Sequence, residues 1–209
     1  MSLKIGRMVV GPVSTNCYFV YDENTRNTLV IDPGAKGGEL YDRLKDNGLD
    51  IKAILLTHGH FDHIMGVNEM KEKAGVLVYA HEAEEELCRE PELNCSAQIR
   101  KPYSVSPNVL LHDNEEIKIA GIRFKTIYTP GHTIGSCCFY FEEDGLLLCG
   151  DTLFLNSCGR TDLPTGSASQ LTQSLRKLME LPDDVRCYPG HDDITSIGDE
   201  RRYNPFIEI

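Results

Sequence analysis
The stretch Thr57-His58-Gly59-His60-Phe61-Asp62-His63 packs three imidazoles and a carboxylate into one short window. It follows directly on the apolar, β-branched run KAILLT (residues 52–57), which reads as a buried strand. The ligand-type residues therefore sit where a strand leaves its sheet. Their spacing is too tight for the helical H-E-x-x-H arrangement, so the window reads as a loop whose side chains point to two sides.

The same pattern recurs downstream. FKTIYTPG runs into His132, GLLLCG into Asp151 and VRCYPG into His191. Glycine precedes His60, His132, Asp151 and His191, which allows the backbone to turn sharply at the strand end. Each residue alone is unremarkable: a lone histidine is usually a surface or core residue, and Gly-Asp is a common turn. As a set they are not, because five of the seven histidines fall at strand ends. Strands of one packed sheet end along one rim, so these groups are expected to form a single cluster. Imidazole and carboxylate are ligands of borderline and hard divalent metals. His81 and His112 keep ordinary readings, the first opening a helix and the second in a polar turn.

Working outward, LKIGRMVV, NCYFVYD and TLVIDPG read as strands bounded by turn residues. A helix follows over GGELYDRLKDNG with Leu40 and Leu44 on one face, and a second over VNEMKEKAG ends at Gly75. VLVYA precedes the acidic helix HEAEEELCRE, whose glutamates read as a solvated face. Pro91 to Pro107 is a long loop of the kind that often serves as a lid. The second half repeats the theme with a hairpin turning at Ala120-Gly121, then SCCFYFEEDG, LLLCG, a helix over 168–181 carrying Leu171, Leu175 and Leu178, and VRCYP. Two batches of strands, each with helices, predict an α/β fold: a four-layer αββα sandwich of two mixed β-sheets flanked by helices. Residues 1–209 are expected to be one domain.

Composition narrows the function classes. With 21 Lys+Arg against 32 Asp+Glu the net charge is −11, which argues against a nucleic-acid partner. No run is long and apolar enough to span a bilayer, and Gly6, Arg7, Gly11 and Pro12 interrupt any signal peptide. The eight cysteines contain no CxxC pair and several lie in apolar strands, so they read as reduced, buried thiols of a cytoplasmic protein. Cys158, in a polar turn, is the one whose reactivity is worth testing. The oligomeric state is not encoded in these features.

THGHFDH, followed by PGHT, GD and PGH, resembles the metallo-β-lactamase superfamily, over most of the chain. The resemblance implies that His58, His60 and His132 hold one divalent ion, that Asp62, His63 and His191 hold a second, and that Asp151 bridges them. Two zinc ions are expected, with iron or manganese as alternatives. The segment Leu153–Ser167 and the run ERRYNPF resemble short bacterial proteins grouped with glyoxalase II, which hydrolyse S-acylglutathione thioesters. The C-terminal helical domain that holds glutathione in the long forms is not expected here. A bridging Asp151 departs from the commonest zinc β-lactamases, which have Cys there.

The implied reaction is attack of a metal-bridging hydroxide on a small-molecule thioester, because two ions sharing a water bring its pKa from about 15.7 towards about 7. Asp62 is the candidate catalytic residue, orienting the nucleophile while ligating metal. Arg160 is a candidate for a substrate carboxylate, with pairing to Asp162 as the structural alternative. Arg100, Lys101 and Tyr103 are expected to face solvent. Thr57 and Thr133 are candidates for orienting the ligand imidazoles. GRTD also resembles the persulfide dioxygenases, which would use His58, His132 and Asp151 for one iron. A non-catalytic metal-binding module and a nuclease of the same superfamily are further alternatives.

Overall fold
The computed structural model describes residues 2–207. The first sheet contains β1 (Leu3–Val10), β2 (Thr15–Asp22), β3 (Asn27–Ile31), β4 (Asp50–Leu55), β5 (Leu77–His81) and β6 (Val109–Leu111), in that spatial order. β1 to β3 pair antiparallel and β3 to β6 parallel. The second sheet contains β7 (Glu116–Ile119), β8 (Ile122–Tyr128), β9 (Cys137–Phe141), β10 (Leu146–Gly150), β13 (Arg186–Pro189) and β14 (Thr195–Ser196), in the order β14-β13-β10-β9-β8-β7. A small ribbon of β11 (Leu153–Phe154) and β12 (Ser157–Cys158) follows β10.

Side-chain alternation builds the layers. Along β3, Leu29 and Ile31 face the other sheet while Val30 faces outward; along β4, Ala53 and Leu55 face inward and Ile54 outward. Cys137, Phe139 and Phe141 of β9 return the inward contact, and Cys138 and Tyr140 point to the opposite side. This period of two, with both faces apolar, is what a sheet covered on both sides demands. Leu40 and Leu44 of α1 (Gly37–Asp46) and Val67 and Met70 of α3 (Val67–Ala74) cover the first sheet. Leu171, Leu175 and Leu178 of α5 (Ala168–Leu178) cover the second. Truncating one of these leucines costs about 2–5 kcal/mol. The four-layer sandwich is thus the observed fold.

Two local ends follow standard chemistry. Ser167 Oγ accepts the Gln170 amide at 3.4 Å and starts α5; Gly75, at φ 66°, closes α3. The hairpin turns at Ala120 and Gly121, both with positive φ.

The acidic segment departs from expectation. It forms a 3-10 turn at Glu82–Glu84 and a short α4 (Glu85–Arg89), and Glu84 is fully buried rather than solvated. The long loop is less a free lid than a wall. Val105 enters the core, Asn94 is fully buried, and the Asn94 carbonyl accepts the Phe61 amide at 2.8 Å. Among the described residues no helix is long and apolar enough to cross a membrane.

β9 runs antiparallel to both β8 and β10, so β8, β10 and its parallel neighbour β13 all run the same way. Their C-terminal ends, with those of β3 and β4, lie on one rim, where the sheets are joined. The Cys137 amide donates to the Thr57 carbonyl at 2.9 Å, and the Asn16 amide donates to the Gly190 carbonyl at 2.7 Å.

Candidate metal centre
Five strand ends supply the rim. Asp32 follows β3, His58 and His60 follow β4, His132 follows β8, Asp151 follows β10 and His191 follows β13. After His60 the chain enters a single helical turn, α2 (Phe61–Ile64), instead of an open loop, and this turn carries Asp62 and His63. Gly150 has φ 47°, a left-handed conformation that turns Asp151 into the centre. A Cβ at Gly190 would collide with Asp151 Oδ1 and come within 2.7 Å of His63 Cε1, so only glycine lets β13 close on the site.

The rim gathers all seven side chains expected to meet. Ligand atoms of His58, His60 and His132 lie within 4.8 Å of one another, and so do those of Asp62, His63 and His191. His60 Nδ1 is 2.9 Å from His132 Nε2, and His191 Nε2 is 3.2 Å from Asp62 Oδ2. Asp151 stands between the two groups: Oδ2 is 3.5 Å from the Nε2 atoms of both His132 and His191, and Oδ1 is 3.4 Å from that of His63. The first group is buried, whereas Asp62, Asp151 and His191 are partly exposed, so the centre opens on their side.

Contacts outside the cluster set the histidine tautomers. His63 Nδ1 donates to Asp32 Oδ2 at 3.0 Å, and His132 Nδ1 donates to the Arg160 carbonyl at 2.8 Å. His58 Nδ1 is 3.2 Å from Thr57 Oγ1, whose hydroxyl donates to Asp32 at 2.6 Å. An imidazole that donates through Nδ1 turns Nε2 to the interior, where it offers a lone pair once that nitrogen is deprotonated. Among the described residues, His58 Nε2, His60 Nε2, His63 Nε2 and Asp151 Oδ1 are buried without any hydrogen-bond partner. Four orphaned buried acceptor or donor atoms on one rim would be costly in an ordinary core. A nitrogen- and oxygen-rich donor set of this kind fits divalent cations.

The electrostatics divide the histidines. Burial, reinforced by the neighbouring imidazoles, pushes His58 well below its usual range and His60 down to about 3. For His63 burial acts the same way, but Asp62, Asp151 and Asp32 outweigh it and hold the pKa up at about 10. His191 is raised too, against burial, by the Asp62 hydrogen bond and Asp151. Asp62, despite burial, is held well below the carboxylate range by His63 and by hydrogen bonds from His191 and Thr15. This favours the ionised form and makes Asp62 a weak proton acceptor.

Other expectations fare differently. Thr57 orients an imidazole, but Thr133 does not: its hydroxyl binds Ser136 Oγ at 2.6 Å within a turn. Arg160 is exposed and forms a bidentate pair with Asp162, both bonds 2.7 Å. Arg100 and Lys101 face solvent, whereas Tyr103 is half-buried and its hydroxyl accepts the Asn68 amide. Cys158 lies half-buried in β12, where burial raises its pKa, so it lacks the thiolate character of a reactive cysteine. The other seven cysteines are buried and reduced. His81 is stacked on Tyr128, and exposed His112 pairs with Glu82. Asp32, Thr15 and Glu84 are site-adjacent residues that sequence reasoning missed. Asp32 carried the available signal, a carboxylate directly after an apolar strand.

Such a rim on an αββα sandwich defines a metal-dependent hydrolase architecture, and similarity to known proteins agrees. Residues 10–191 match the model of the metallo-beta-lactamase superfamily, and the chain belongs to that superfamily. It is 36% identical to the probable metallo-hydrolase YqgX of Bacillus subtilis, over 98% of each chain. It is 34% identical to the hydroxyacylglutathione hydrolase GloC of Haemophilus influenzae, over 92% of each. Among solved structures, BLEG-1, a B3 metallo-beta-lactamase, superimposes with a TM-score of 0.93 at 35% identity, covering 98% of this chain and 99% of that one. TTHA1623 in a di-iron-bound form gives 0.87 at 33% identity, covering 97% and 100%.

Proposed function
We propose that the protein is a dinuclear metal-dependent thioesterase acting on small S-acyl thiols such as S-2-hydroxyacylglutathiones. In this reading His58, His60 and His132 hold one ion, Asp62, His63 and His191 hold the other, and Asp151 is shared. Zinc is the first candidate, and the di-iron form of TTHA1623 keeps iron in view. Divalent ions bound there supply an acidified water and a Lewis acid for the carbonyl oxygen.

The chain's own residues do the rest. Asp62, fixed by Thr15 Oγ1 at 2.8 Å, accepts a hydrogen bond and orients the attacking water. Its low pKa suits it to orienting rather than to taking the proton. Asp32 holds His63 and, through Thr57, His58. The cleft beside His191, 350 Å³ and lined by Arg7, Val9, Val13, Ser14, Asn16, Asp192 and Asp193, has the volume of a small-molecule site. Arg160 flanks the His132 side, and a substrate carboxylate there would compete with Asp162.

One observation carries the choice of a thioester. No Lys, Tyr or Cys side chain among the described residues hydrogen-bonds or ion-pairs with any of the seven candidate ligands. A thiol of pKa about 8.5 leaves as the thiolate with no proton supplied, whereas an alkoxide or amide nitrogen would have to draw its proton from a water at the site. The likeness to GloC supports the same substrate class. The likeness to BLEG-1 makes β-lactam ring opening the competing reading, since it is also acyl transfer to water.

The test is to assay metal-loaded protein with S-lactoylglutathione, with a β-lactam, and with glutathione persulfide in an oxygen electrode. Saturable thiol release, faster than turnover of the other two, is expected. A protein that ignores the thioester but opens the lactam or consumes oxygen overturns the reading.

A further inference from the structure
Glu84 is fully buried yet hydrogen-bonds to none of the seven candidate ligands. It ends the 3-10 turn that follows β5, and its carboxylate reaches towards the rim from behind. Oε1 accepts the Gly59 amide at 2.8 Å and Oε2 accepts the Gly135 amide at 2.7 Å. Gly59 lies between His58 and His60. Gly135 lies in the turn that leads from His132 into β9. One rigid carboxylate therefore joins the two loops that carry all three histidines of the deeper group.

The close fit is specific to these positions. A Cβ at Gly135 would collide with the backbone nitrogen of Glu84, so the His132 loop can approach the turn only without a side chain. α4 packs just as tightly on the other loop, with Cys88 Sγ 2.7 Å from where a Gly59 Cβ would be. Satisfying two amides and the Thr133 hydroxyl, its third partner, does not require burying a carboxyl, whose desolvation cost shows in a pKa pushed up to about 7. What a carboxylate adds is two equivalent acceptors at a fixed separation. The outer group is anchored elsewhere: Asp62 by Thr15, and His63 by Asp32.

We propose that Glu84 is a positioning residue for the His58/His60/His132 pocket, acting by fixing the spacing of the Gly59 and Gly135 loops. This rests on the assignment of those three histidines to one ion, and not on the identity of the substrate. It predicts a selective defect: loss of Glu84 weakens that pocket and spares the one built from Asp62, His63 and His191.

The test is a Co²⁺ titration of the full-length chain, followed by the visible absorption of the bound ion, in two backgrounds. His191→Ala leaves the deeper pocket intact, and His132→Ala leaves the outer one. Adding Glu84→Ala is expected to weaken Co²⁺ binding by roughly 10–100-fold in the first background and to leave it within about twofold in the second. Glu84→Gln, which keeps the shape and one acceptor, should fall between wild type and alanine. Equal weakening in both backgrounds, or none in either, overturns the proposal. So does failure of both Glu84 variants to fold, which would assign the residue to the fold alone. Inactivity of the wild type towards thioesters would leave the titration result standing, so the two readings fail separately.

Discussion
Asp32 and His63 are joined by a 3.0 Å hydrogen bond from Nδ1 to Oδ2, and the same carboxylate accepts the Thr57 hydroxyl that faces His58. One buried acid thus sets the ring orientation of two candidate ligands from outside the cluster. Asp32→Asn keeps the volume but places a donor against groups that already donate. It is expected to weaken divalent metal binding by about 10–100-fold. Competition with a chromophoric chelator measures this; an unchanged affinity would remove Asp32 from the account.

The metal-free protein should have a distinctive pH profile. His63, with its pKa raised from 6.5 to about 10, contributes stability that is fully present below 6.5 and is lost as pH rises through about 10. Asp62, lowered below its ordinary 3.8, acts the other way: its contribution is present above that value and fades on acidification. Urea melts of chelator-treated protein should therefore show declining stability from near neutrality to about pH 10, flattened in His63→Gln. Metal uptake at neutral pH should release protons, readable as a buffer-dependent heat of binding. Stability that climbs over this alkaline range would contradict the imidazolium–carboxylate cluster.

Asp62→Ala should separate chemistry from folding. The side chain is partly exposed and lies at the rim rather than in an apolar layer. Turnover of a thioester should fall by about 10²-fold, the scale of a misplaced reacting group, while the chain still folds, the metal-free protein losing only the stability that the Asp62–His63 attraction supplies. Near-normal turnover would refute the orienting role.

Cys158 should react slowly with thiol reagents. Burial raises its pKa and β12 holds it against the layer under α5. Under native conditions labelling should be far slower than for a free cysteine peptide, and it should become fast in denaturant. Rapid native labelling would restore the reactive reading.

Much of this architecture was legible in the sequence because the strands obey a period of two and end in conspicuous polar residues. His58, His132, Asp151 and His191 each follow an apolar run, and the structure brings them to one rim. Asp32 follows the same rule in TLVIDPG, yet a lone carboxylate before Pro-Gly also reads as an ordinary turn. Glu84 left no local trace. It sits in a run of glutamates, and its burial comes from the close approach of Gly59 and Gly135, which are remote in the chain. The α2 turn was invisible for a related reason: its four residues are too few for helical periodicity to register. The small β6 and β14 strands and the last helix, Ile197–Tyr203, were likewise set by tertiary contacts that short segments do not encode.

The most direct measurement is the metal stoichiometry of the purified chain and of two single variants, by elemental analysis after loading. The wild type should bind two ions per chain, with His132→Ala and His191→Ala each retaining one. A wild-type chain that saturates at one ion, or variants that still hold two, would contradict a pair of cations shared across Asp151.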